Sequence, residues 1–121
     1  TEINLIQGLE ILKEGGFDGV IAFGGGSALD LGKLLAFMIA QDLPVWEFED
    51  LSDNWKRANT QGILPIIAIP TTAGTGSEVG RAGVLTDSIN KIKKVIFHPE
   101  MLPKSVICDP TLSFKLPQKL I

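Results

Sequence analysis

The stretch Pro70-Thr71-Thr72-Ala73-Gly74-Thr75-Gly76-Ser77-Glu78 constrains this chain more than any other. The apolar run Ile66-Ile67-Ala68-Ile69 leads straight into it. Such a run reads as a buried strand, and the glycines and hydroxyl residues after it as a loop whose backbone can approach a ligand closely. A second unit of the same kind lies upstream: Val20-Ile21-Ala22-Phe23, then Gly24-Gly25-Gly26-Ser27. Two glycine-rich loops at the carboxyl ends of two strands predict one shared crevice, which is where open α/β sheets bind ligands.

The rest of the chain reads as a frame around these two units. Residues 3–14 form an amphipathic helix with Ile3, Ile6 and Leu9 on one face, continued by Leu12 or Lys13, and Gly15-Gly16 stops it. Residues 19–23 are apolar on both faces, as in a central parallel strand. Ser27 is placed to cap the next helix, with Asp30 where a capping-box partner belongs. That helix runs from Ala28 to about Gln41 and is apolar nearly all round from Leu34 onward. Residues 44–62 are irregular, with Trp46, Phe48 and Trp55 in an acidic, polar stretch. Short helices with the rings tucked beneath are expected there; a lid or a subunit contact is the functional alternative.

Residues 64–69 form the second core strand. Residues 83–86 and 93–97, joined by turn-forming Asp87-Ser88-Ile89-Asn90, read as a hairpin. A last strand covers 105–108, and Leu116-Pro117-Gln118 looks like a helix start. Strands alternating with helices give an α/β parallel sheet with flanking helices and a β-hairpin. Without repeats or linkers, 121 residues make one compact domain. The chain starts at a helix edge and stops inside a helical first turn, so it reads as a piece of a larger protein.

Charge excludes some partners. A net charge of −3 with no clustered basic face argues against nucleic acid and against a membrane surface. The run Lys91-Ile92-Lys93-Lys94 reads as a solvated strand edge or hairpin. The longest apolar run, residues 34–40, is too short to span a bilayer. Cys108 is the sole cysteine, expected as a small buried residue in a reducing, cytoplasmic setting. His98, the sole histidine, reads as structural. One His and one Cys do not make a transition-metal set, and no serine triad or nucleophile elbow is visible. No catalytic or metal-binding residue is therefore assigned.

Binding chemistry is richer. A helix start preceded by Gly24-Gly25-Gly26 offers unpaired N–H groups to a diphosphate, and Ser27 can add a hydroxyl. The spacing matches neither the usual dinucleotide fingerprint nor the P-loop, and a tight strand–helix turn without a ligand is the plain alternative. Thr71, Thr72, Thr75 and Ser77 can bond sugar hydroxyls or a base, or can satisfy their own turn.

Gly24-Gly25-Gly26-Ser27 with Asp30 and Lys33, then Pro70 through Val79, resembles the iron-containing (group III) alcohol dehydrogenase family. Ile96-Phe97-His98-Pro99, Leu102-Pro103 and Cys108-Asp109-Pro110-Thr111-Leu112 follow in the family's order. The resemblance covers essentially the whole chain. It implies that the chain is the second half of a Rossmann-like NAD- or NADP-binding domain. Gly25, Gly26, Ser27 and Asp30 would serve the pyrophosphate turn, and Thr71, Thr72 and Thr75 the adenosine and nicotinamide sides. Lys93, with Lys94 as the alternative, would reach the nicotinamide ribose from the hairpin, with Val84 packed beside it.

The family's metal ligands, for iron or in some members zinc, come after the point where this chain ends. The first βαβ unit is missing upstream. The implied parent transfers a hydride between the cofactor and a primary alcohol or aldehyde, with the metal as Lewis acid. This chain would supply cofactor-binding loops only and would not catalyse that step alone. Maleylacetate reductase or glycerol dehydrogenase are sibling possibilities, and a non-catalytic nucleotide-binding module is the alternative of another class. A homo-oligomer is expected on general grounds.

Overall fold

A computed structural model describes residues 1–113. Helix α1 spans Glu2–Gly15, and Gly16 ends it in the left-handed region at φ 61°. Strand β1 is Val20–Gly24, helix α2 Gly26–Met38, and strand β2 Ile66–Pro70. The hairpin strands are β3 (Ala82–Asp87) and β4 (Ile92–Phe97), and β5 is Ser105–Val106. Single 3-10 turns at Val45–Phe48 and Asn54–Arg57 occupy the irregular stretch, as expected. Their aromatic rings do pack: Phe48 is buried edge-on against Phe37, and Trp55 meets Phe97 and His98. The helix start at 116–118 lies outside the described residues.

The architecture is α/β. A parallel sheet runs in the order β1-β2-β5, and β3-β4 form a separate antiparallel hairpin. The register pairs Ala22 with Ala68 and Gly24 with Pro70. Both loops therefore leave the sheet side by side, and the Thr71 N–H donates to the Gly24 carbonyl at 2.8 Å.

Helix α2 is the hub, as its all-round apolar half predicts. On one side Leu29 and Ala36 pack on Ala22, Ile66 and Ala68 of the sheet. On the other, Leu34, Phe37 and Met38 join Leu5, Phe48, Leu85, Ile96 and Met101. The approach to the sheet is tight because Gly32 has no side chain: a Cβ there would lie 2.5 Å from that of Ala22.

Four expectations are corrected. In α1 the buried residue is Leu5, with Gly8, Leu9 and Leu12 half-buried, while Ile3 and Ile6 are exposed. The reason is Gly8, over which Leu35 of α2 lies so closely that a Cβ would meet it at 2.6 Å. Strand β1 packs on α2 through Val20 and Ala22, while Ile21 and Phe23 on its other face are 66% and 58% exposed. Helix α2 ends at Met38, where Gln41 Nε2 bonds the Phe37 carbonyl and turns the chain toward Asn59. Cys108 is exposed, because β5 ends at Val106 and the chain beyond it lies on the surface.

His98 is buried, stacked on Phe37 with centroids 5.1 Å apart. Its Nδ1 accepts a hydrogen bond from the Glu100 N–H and so caps the 3-10 turn Pro99–Met101. Burial pushes its pKa down, with Glu100 opposing. Its role is structural, as the sequence reading has it. Among the described residues no helix is long and apolar enough to cross a membrane.

Candidate functional site

The site begins where α2 begins. Gly25, not Ser27, is the N-cap residue, with extended backbone and no side-chain cap bond. Ser27 lies inside the first turn and is exposed. Nor does Asp30 reach back to complete a capping box. Its Oδ2 accepts the Val84 N–H of β3 at 3.1 Å. A first turn without a side-chain cap keeps its N–H groups and its partial positive charge for an outside acceptor. No acidic side chain occupies that turn.

The threonine loop lies over this helix start. A Cβ built on Gly25 would meet the Thr72 side chain at 3.4 Å. One on Gly26 would approach Thr75 at 3.1 Å and the Ser77 hydroxyl at 3.5 Å. The two glycine-rich segments thus form one surface, and the missing side chain of Gly26 is what lets them close. Thr71 and Thr72 are half-buried; Thr75 is exposed. Gly74 and Gly76 adopt φ 85° and 75°, which few other residues tolerate, so the loop can fold back over α2.

One recess opens at the threonine loop and another at the first turn of α2. One, of about 240 Å³, is lined by Thr71, Thr72, Gly74, Glu78 and Asp109 among others. The other, of about 260 Å³, lies between the first turn of α2 and the hairpin, with Ser27, Ala28, Leu31, Val84 and Thr86 on its walls.

The hairpin settles where its candidates stand. Val84 pairs with Val95 and Thr86 with Lys93, so Val84 and Lys93 share the outward face. Lys93 is exposed on it. Lys94 is on the opposite face, held by Asp87 at 3.2 Å, by Glu49 at 4.0 Å and over the Trp46 ring at 5.0 Å. Of the two lysines only Lys93 shares the face of Val84.

Lys33 had no role in the sequence reading, and the structure gives it one. Its side chain is 1% exposed. The ammonium donates to the Ser77 carbonyl at 2.9 Å and the Gly80 carbonyl at 3.2 Å, with Asp30 Oδ1 at 3.7 Å. Burial pushes its pKa down, opposed by the charges of Asp30 and then Glu78. One Glu78 carboxylate oxygen is closed off from solvent with no hydrogen-bond partner among the described residues. The Asp30/Lys33 spacing of one helical turn was the available signal for this pair. Burial in a helix that also faces a hairpin was not visible from spacing. The described residues contain no group of three or more His, Cys, Asp or Glu that could hold a metal ion.

Comparison with known proteins gives a consistent picture. The sequence profile described as iron-containing alcohol dehydrogenase matches residues 1–110. A 4-hydroxybutyrate dehydrogenase from Cupriavidus necator is 38% identical over 99% of this chain and 31% of its own length. A long-chain-alcohol dehydrogenase from Geobacillus thermodenitrificans is 42% identical over 89% of this chain and 26% of its own. The structure superposes on sulfoacetaldehyde reductase from Bifidobacterium kashiwanohense, solved with NAD+, at a TM-score of 0.82. Identity there is 36%, over 96% of this chain and 30% of the other. The chain thus spans less than a third of the length of the relatives it matches.

Proposed function

Because the chain belongs to the iron-containing alcohol dehydrogenase family, we propose that it is the second half of a nicotinamide-cofactor domain of a longer dehydrogenase. It holds the middle of NAD and contacts the ribosyl arm on each side. The observation that carries this reading is the helix start at Gly25 and Gly26, uncapped by any side chain and roofed by Thr72 and Thr75. The N–H groups of Gly26, Ser27 and Ala28 suit a diphosphate, which the helix charge favours. Thr71, Thr72 and Thr75 offer hydroxyls beside it, and Lys93 and Val84 line the hairpin side for the nicotinamide ribose. Asp30 holds β3 to this site through the Val84 N–H.

NAD is favoured over NADP by the NAD+ complex of a relative 36% identical to this chain. Bound there, the cofactor supplies a nicotinamide ring that carries the hydride. The chain's own part is to hold the diphosphate, to orient the two ribosyl arms, and to keep the hairpin face against the nicotinamide side. The described residues do not fit a metal, so this reading routes no step through one. The activity proposed for the whole protein is hydride exchange between a primary alcohol or aldehyde and the cofactor.

Incubating the full-length protein with NADH and a short-chain aldehyde tests this. Consumption of NADH that saturates in aldehyde, with one alcohol formed per NADH oxidised, is the expected result. Saturable NADH binding without any consumption would replace the enzyme by a nucleotide-binding module. Absence of NADH binding would remove the site itself.

A further inference from the structure

Lys33 is among the largest fully buried side chains of the molecule. An ammonium taken out of water loses several kcal/mol of hydration unless other groups replace it. A leucine or methionine would fill the same place on α2 without that cost, so the charge itself calls for a reason. Its partners give one. The carbonyls of Ser77 and Gly80 bracket the exit of the threonine loop, and both accept from the Lys33 Nζ. No apolar side chain could gather two carbonyls of one turn. Asp30, one helical turn earlier, balances the charge with one oxygen and holds Val84 of β3 with the other. One turn of α2 therefore grips both the threonine loop and the hairpin.

The loop's entrance is fixed independently, by the sheet register and the Thr71 N–H to Gly24 bond. Between entrance and exit stand Gly74 and Gly76 at positive φ, which make this segment pliant on its own. We infer that Lys33 is a positioning residue of the nucleotide site: its ammonium anchors the loop exit so that Thr72 and Thr75 stay against Gly25 and Gly26. The loop is then in place before the cofactor arrives, and binding does not have to supply the ordering. This inference rests on the cofactor reading given above and adds to it what sets the width of the groove.

The test uses the full-length protein with Lys33→Met, which keeps the stem and removes the ammonium. NADH is titrated by its fluorescence, well below the unfolding temperature of either protein. The Kd for NADH should rise about tenfold or more, the scale of losing hydrogen bonds from a charged donor. The KM for NADH should rise with it while the KM for aldehyde stays put. A purely structural lysine would lower the melting temperature and leave the NADH Kd unchanged; that result overturns the inference while the cofactor site stands. A wild-type protein that fails to bind NADH sinks both.

Should Lys33→Met not fold, the pair Asp30→Asn with Lys33→Met removes both charges and keeps an acceptor for Val84, with the same expectation. Amide hydrogen exchange on the wild type needs no variant. The Val79 N–H, which bonds the Gly76 carbonyl at 3.1 Å within the turn that Lys33 holds, should be protected before NADH is added. Fast exchange there that slows only with NADH would show the cofactor, not Lys33, placing the loop.

Discussion

Lys93 and Lys94 are neighbours in sequence with opposite duties. Strand alternation turns Lys94 inward to Asp87, Glu49 and the Trp46 ring, and leaves Lys93 on the face of Val84. The difference is measurable. Lys93→Ala should weaken NADH binding by about tenfold, the loss of one charge-assisted bond, without moving the melting temperature. Lys94→Ala should do the reverse, lowering the melting temperature and sparing NADH affinity. Isothermal titration and a thermal melt on each variant decide between them. At this scale the sequence was most legible where glycine and threonine occur, because close approach and hydroxyl density are properties of residue type. Gly25, Gly26, Thr72 and Thr75 do come together. It was least legible for Ser27, Asp30 and Lys33. The capping pattern put Ser27 and Asp30 at the helix start as a local pair, whereas Asp30 and Lys33 bond segments more than forty residues away. Such pairings are invisible to local spacing.

At the scale of elements the hairpin was readable to within a residue at its strand ends, because its turn chemistry is local. Asp87 accepts the Ile89 and Asn90 N–H groups with Oδ1, and the Asn90 side chain and Lys94 with Oδ2. The side-chain and backbone bonds from Asn90 hold its carboxyl at about 2, against an ordinary 3.8. The folded-state pKa is depressed, so the stabilisation is fully present above 3.8 and is lost as pH falls toward 2. Unfolding free energy measured between pH 5 and 2 should therefore decline, and Asp87→Asn should flatten part of that decline. An unchanged acid limb in the variant would remove Asp87 from the account. The face of α1 was not readable. Which side of an amphipathic element is covered depends on what crosses it, and Leu35 over Gly8 is a tertiary fact.

At the scale of the molecule, α2 joins everything: the sheet on one side, α1 and the hairpin on the other, the threonine loop at its start. The α/β class followed from the alternation of elements, and the crevice from two loops on neighbouring strands. The parallel order β1-β2-β5 adds what the pattern could not, that Gly24 and Pro70 are register partners. The central claim is that this junction of two loops is the nicotinamide-cofactor site. Its most direct test is an NADH titration of the full-length protein beside Gly26→Val. That side chain starts 3.1 Å from Thr75 and extends into the space between loop and helix start. The account predicts saturable NADH binding by the wild type and none by a folded Gly26→Val protein. Equal affinity in the two would contradict it.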